Sequence, residues 1–262
     1  MNIGTFWAFI VSLLIQVVYP LAVALVFRRR SGAPWLAFVC GAAVFAVFQL
    51  FTWLPLSAYL DYAFGEHLSS AWFSFLWLLT QALATGFLEE AGRWAGLRYL
   101  FPRGGLKLTW RNGVMYGLGQ GSLETVLLIA GLTFINLLAY VVLSRLNLTT
   151  VLSALGPNSE AIGAALRGII GTSWRQPLIV ALERIPALLH QVAWALLVME
   201  SLVSRQKRWF GFAVLYHASV AVIVPGLARL GGFALAESVN LLLAGLSLWI
   251  VLRLRAVSEG RV

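Results

Sequence analysis

The chain has 262 residues, of which 60% are hydrophobic and 11% charged, with a mean hydropathy of +0.86. A water-soluble domain keeps about a quarter of its residues charged to cover its wet surface; this composition excludes one and points to a membrane protein along the whole length. The net charge of +9 does not indicate nucleic acid, because Lys and Arg sit in short clusters between apolar runs, not along one face or tail.

A hydrocarbon core about 30 Å thick takes roughly 20 apolar residues of helix. In chain order, the runs that meet this are about 5–27, 34–55, 71–97, 113–143, 177–203, 209–228 and 233–252. The first has no basic residue before it and is too long for a signal-peptide core, so it is expected to stay as a helix. Cys40, the single cysteine, lies inside the second run and reads as a small core residue with no disulfide partner. Residues 56–70, with Asp61, Glu66 and His67, read as a solvated loop. Between residues 144 and 176, Ile162, Ala165, Leu166, Ile169 and Ile170 recur at helical spacing, which predicts a short amphipathic helix on the outer interface. Gly113, Gly117 and Gly121 line one stripe of the fourth run, and Gly92 and Gly96 one stripe of the third. Small residues at this spacing let helices approach closely in lipid. The fold expected is an all-α bundle of seven transmembrane helices forming a single polytopic domain over residues 1–262.

Basic residues orient such a bundle, because cytoplasmic connections carry the excess of Lys and Arg. Arg28, Arg29 and Arg30 follow the first run; Arg98, Arg103, Lys107 and Arg111 join the third and fourth; Arg205, Lys207 and Arg208 join the fifth and sixth; Arg253, Arg255 and Arg261 form the tail. The alternate connections hold Arg145, Arg167, Arg175 and Arg229. The N-terminus is therefore expected outside and the C-terminus in the cytosol.

The remaining basic residues, Arg93 and Arg184, lie within apolar runs, as do Glu89, Glu90, Glu124, Glu183, His190 and His217. A charge at mid-bilayer costs at least about 2.5–3.5 kcal/mol, so such residues face the protein interior and mark function. Arg93 follows Glu89 by four residues and Glu90 by three, within reach of either. One carboxylate can then pair with Arg93 while the other faces a cavity and serves as a general base. Glu124 has Gln120 one turn before it, and Glu183 precedes His190 by seven residues on the same side. A packing role for the same cluster, or a proton relay in a transporter, is the competing reading.

Glu89-Glu90-Ala91-Gly92-Arg93 resembles the E-E-x-x-R motif of the CAAX-protease and bacteriocin-processing superfamily of intramembrane proteases. The ordered set that follows (Gly117 to Glu124, Glu183-Arg184 leading to His190, then His217) is similar to the YhfC branch, a family of intramembrane metalloproteases. The resemblance covers about residues 71–225. Two positions depart from the superfamily pattern: Pro186 stands four residues before His190 in place of Phe, and Ala221 stands four after His217 in place of Asn. The resemblance implies a multi-pass protein of the bacterial cytoplasmic membrane that hydrolyses a membrane-associated peptide at a site open to the cytosol. It implies Glu89, Glu90 and Arg93 as catalytic residues. His190, His217 and Glu124 would hold a metal, for which zinc suits imidazole and carboxylate ligands. Without a metal, the two His would stabilise the oxyanion directly. Gln120, Glu183 and Arg184 would support the site. The same superfamily also contains a noncatalytic membrane scaffold, so a noncatalytic scaffold or immunity-type protein is the alternative expectation.

Overall fold

A computed structural model of the chain describes residues 1–65, 70–147, 150 and 159–259. Among them every regular element is helical. Seven helices are long and apolar enough to cross a membrane: α1 (Ile3–Ser31), α2 (Trp35–Ala63), α3 (Ala71–Arg103), α4 (Trp110–Leu143), α6 (Arg175–Val203), α7 (Arg208–Gly231) and α8 (Phe233–Glu259). The amphipathic stretch forms the additional short helix α5 (Ser159–Ile170), as its spacing predicts. Glu66 and His67, and the tail residue Arg261, lie outside the described residues.

One boundary differs from expectation. Residues 56–63 continue α2 and do not form a loop. Pro55 lacks an N–H and would crowd the preceding turn; the wide π-helical turns at Ala46–Trp53, just ahead of it, accommodate the ring, and the helix resumes. The carboxylate of Asp61 then accepts hydrogen bonds from Trp77 Nε1 at 2.7 Å and Gln81 Nε2 at 3.0 Å, fastening the end of α2 to α3.

The chain falls into two compact units, Met1–Leu21 with Glu124–Ile185, and Ala22–Leu123 with Pro186–Val262. In the first, Phe9 packs with Leu137 and Tyr140. Ser12 Oγ donates to the Pro177 carbonyl at 2.7 Å. A buried hydroxyl or carbonyl without such a partner would be costly in this apolar setting.

The second unit is assembled through glycines. A side chain at Gly41 would strike the carbonyl of Tyr116, and one at Gly119 the carbonyl of Phe38, so α2 and α4 touch backbone to backbone. On the other face of α4, Gly113, Gly117 and Gly121 receive α6: a Cβ there would lie 2.8 Å from Leu196, 2.7 Å from the Val192 Cα and 2.7 Å from Leu188. The glycine stripe read from the sequence is thus a helix–helix seam. Gly92 abuts Phe48, and Gly96 abuts Tyr116 and Val44. From Pro186 to Ser201 nearly every residue of α6 is buried, the polar His190 and Gln191 among them. The α-helical turns of α6 are interrupted at Glu183, between Arg175–Leu182 and Arg184–Val203. Pro186 has no N–H to offer the carbonyl of Leu182 and its ring crowds that carbonyl, which opens the helix there.

Candidate functional site

Within the second unit, five helices bring polar side chains together. Arg93 on α3 is completely buried, and its guanidinium has four partners. Nη1 pairs with Glu90 Oε1 and Nη2 with Glu89 Oε2 at 3.2 Å. Nε donates to Gln120 Oε1 on α4 at 2.6 Å, and Nη2 also donates to Gln191 Oε1 on α6. The planar fork of an arginine carries five donors in fixed directions, so this one side chain joins three helices while pairing with both buried carboxylates.

Glu90 Oε1 also accepts from His217 Nδ1 on α7 at 2.9 Å. A carboxylate beside Arg93 has only lone pairs to offer, so the shared proton belongs to Nδ1; in the neutral ring Nε2 is then the acceptor. The imidazole of His217 lies flat on the indole of Trp194, with centroids 3.9 Å apart and planes 5° from parallel. The same indole stacks on His190, one turn earlier on α6, at 5.6 Å. It also lies under the Arg93 guanidinium, at 5.5 Å, a cation–π distance. The two histidines therefore share one neighbour.

They do not share one chemistry. His190 Nε2 lies 3.3 Å from Asn240 Oδ1, which can only accept, and its Nδ1 lies 2.8 Å from Ser247 Oγ, which can donate. The network assigns His190 as a neutral imidazole with both nitrogens satisfied. Tyr216 OH sits 3.4 Å from His190 Nδ1 and 2.9 Å from Ser247 Oγ, and donates to the Leu243 carbonyl at 2.6 Å. His190 is held in this way by α7 and α8.

Two polar atoms of the cluster are buried with no hydrogen-bond partner among the described residues: the carboxylate oxygen Glu90 Oε2 and the indole nitrogen Trp194 Nε1. Nearly all buried polar groups in folded proteins are paired, by protein or water. An orphan acceptor and an orphan donor in one cluster mark where a water or a peptide group can bind.

The other predicted residues belong to the first unit. Glu124 begins a stretch of π-helical turns, Glu124–Ile129, in α4. Arg184 lies 3.7 Å from Glu124 Oε1 and 3.7 Å from Glu183 Oε2, so it pairs with both. Gln120 is the predicted supporting residue that meets Arg93. Sequence reasoning missed Gln191, Trp194, Tyr216, Asn240 and Ser247. Some signal existed: Gln191 adjoins His190, Trp194 follows it by one turn, and Asn240 and Ser247 lie two turns apart on one face of α8.

A sequence model of the family described as YhfC intramembrane metalloprotease matches residues 11–243 of the chain. An uncharacterized membrane protein of that name from Bacillus subtilis (strain 168) is 26% identical over 243 residues, covering 92% of each chain. No solved structure matches.

The family's description implies a metal, and the donor set does not fit one. Zinc takes at least three protein ligands from His, Cys, Asp or Glu within about 2.0–2.3 Å. Among the described residues no three such side chains are grouped. His190 has no nitrogen lone pair to spare and Glu124 pairs with Arg184, which leaves Glu90 Oε2 and His217 Nε2 as two open donor atoms where zinc needs three. The three expected ligands stand in three different networks: His190 with Asn240 and Ser247, His217 with Glu90, and Glu124 with Arg184.

Proposed function

Since the chain belongs to the YhfC intramembrane metalloprotease family, we propose that it hydrolyses a peptide bond of a membrane-associated substrate at the Glu90–His217–Trp194 cluster, on the cytosolic half of the bilayer. The observation that carries this reading is the pair of orphan atoms, Glu90 Oε2 and Trp194 Nε1. Amide hydrolysis needs one acceptor for the proton of the attacking water and one donor for the oxygen that becomes negative.

In this reading Glu90 Oε2 takes a proton from water as the water oxygen bonds to the peptide carbonyl carbon. Trp194 Nε1–H donates to the developing oxyanion. The C–N bond breaks as Glu90 returns the proton to the amine nitrogen, leaving a carboxyl and an amine. His217 and Arg93 hold the other oxygen of Glu90, which fixes the direction of the working one. Glu89, Gln120 and Gln191 hold Arg93 and are positioning residues. His190, bound to Asn240 and Ser247, supports Trp194 from the neighbouring turn.

The test is cleavage of single-span peptides by the full chain in proteoliposomes, with new amino termini identified by mass spectrometry. Loss of a general base costs about 10²- to 10⁴-fold, so Glu90→Gln should reduce cleavage by that factor without unfolding the protein. Cleavage that survives Glu90→Gln unchanged rejects Glu90 as base. A wild-type protein that cleaves none of the peptides favours the noncatalytic scaffold.

A further inference from the structure

The Met1–Leu21 and Glu124–Ile185 unit holds a cavity of about 500 Å³ near the start of α6, the end of that helix remote from Arg205, Lys207 and Arg208. Ligand pockets commonly fall between about 300 and 1,000 Å³. The second half of α4, helix α5, α1 and the first turns of α6 form its walls. Phe9, Leu132 and Pro177 supply apolar lining, and no charged side chain lines it among the described residues. Arg167 and Arg175 adjoin lining residues in the chain but do not line it, and Arg175 lies over the Trp174 ring at 5.5 Å. On the α5 wall, a Cβ at Gly168 would meet nothing within 4 Å.

Three polar side chains line the same space: Thr133, Asn136 and Gln176. Thr133 is only 6% exposed, yet its hydroxyl has no hydrogen-bond partner among the described residues, and Asn136, three residues on, has none either. A hydroxyl buried without a partner is costly, and nearly all such groups are paired. Gln176 Oε1 accepts from the Ser173 N–H at 3.1 Å. That bond fixes which end of the amide is oxygen and leaves the Nε2 donors free. A ligand entering the cavity therefore meets one hydroxyl, two amide NH₂ groups, an apolar lining and no charge.

We propose that this cavity binds a neutral acylglycerol with one free hydroxyl, that is, a diacylglycerol. Its two ester carbonyls accept from Asn136 and Gln176, its hydroxyl pairs with Thr133, and the first acyl carbons lie on Phe9, Leu132 and Pro177. An ester carbonyl offers lone pairs and no donor, which is what two unsatisfied amide NH₂ groups require. A phosphate in place of the hydroxyl would bring charge into an apolar setting with no cation in the wall to meet it. A triacylglycerol has no hydroxyl to offer Thr133. None of these residues belongs to the Glu90 cluster, so the site is independent of any cleavage there.

The experiment is native mass spectrometry of the purified full chain mixed with equal amounts of dioleoylglycerol, trioleoylglycerol and dioleoyl phosphatidic acid, which share their acyl chains. One neutral hydrogen bond corresponds to about fivefold in affinity, so dioleoylglycerol should be retained over each of the others by at least that factor. Asn136→Leu, at an exposed position, should weaken dioleoylglycerol by the same factor. Gly168→Leu should fill the cavity and remove most of the retention without lowering Tm, since Leu is a far better helix former than Gly. Equal or tighter retention of phosphatidic acid or of the triester overturns the proposal. So does displacement of dioleoylglycerol by an equimolar capped alanine–leucine peptide, which would make the cavity a peptide site. Retention unchanged in a folded Gly168→Leu protein places the lipid elsewhere and overturns it as well. The ranking on the wild-type chain decides even where a variant folds poorly.

Discussion

At the scale of single residues, Arg93 carries the largest structural burden. It binds Glu89, Glu90, Gln120 and Gln191 at once and is completely buried. Removing one partner of a buried ion pair leaves an uncompensated charge and costs about 3–5 kcal/mol. Arg98, five residues on, is exposed and can snorkel to the interface. Arg93→Ala should therefore lower yield and Tm sharply while Arg98→Ala leaves both near wild type; matching melting curves would contradict the network. Trp194 gives a finer test. Trp194→Phe keeps an aromatic ring against His217 but deletes the orphan N–H, so cleavage should fall by about 10²- to 10³-fold, the effect of losing one oxyanion donor, with no fall in Tm. A parallel loss of Tm and activity would make Trp194 merely a packing residue. The charged members of this cluster were legible in the sequence because an ionised side chain in an apolar run is expensive enough to demand an explanation. Gln191, Asn240, Ser247 and Trp194 were not, since neutral polar and aromatic side chains are common in transmembrane helices and raise no such demand.

At the scale of elements, glycines set the distances between helices. A Cβ on Gly119 would meet the backbone carbonyl of Phe38, which cannot rotate away, whereas a Cβ on Gly131 would meet nothing within 4 Å. Overpacking of a tight contact costs about 1–3 kcal/mol. Thermal unfolding in detergent should accordingly place Gly119→Ala well below wild type and Gly131→Ala at or above it, because Ala is the better helix former. Equal Tm values would mean that α2 and α4 are not in backbone contact. The sequence spacing disclosed a stripe on α4 but not its partner, α6, nor that Gly119, off that stripe, makes the closer approach to α2. The end of α2 was misread for a related reason: Asp61 looks like a loop residue until Trp77 and Gln81 are seen to bind it.

At the scale of the whole molecule, the seven spans imply an orientation that can be measured. Thirteen basic residues on one set of alternate connections against four on the other predict a C-terminus in the cytosol. A reporter fused after Arg261 should report the cytosol, and one inserted near Asn158 the outside. Signals from both reporters on the same side would overturn the topology. The positions agree with the proposed chemistry, since Glu90 lies eight residues before Arg98, about 12 Å by helical rise, and His217 nine after Arg208.

Hydrophobic run length determined the number and placement of the spanning helices, because in hydrocarbon a chain must satisfy its own backbone. The cost of burying charge likewise picked out Glu89, Glu90, Arg93, His190 and His217 before any coordinates. What the sequence left open was convergence. A polar residue in a span announces that it needs partners, yet several partners were available to each. Only the tertiary structure decided that Glu124 answers to Arg184, that His190 answers to Asn240 and Ser247, and that His217 joins Arg93 at Glu90. The physical reason is that helix periodicity fixes which face a side chain takes, whereas the pairing of faces depends on glycine contacts and rotations between helices far apart in the chain.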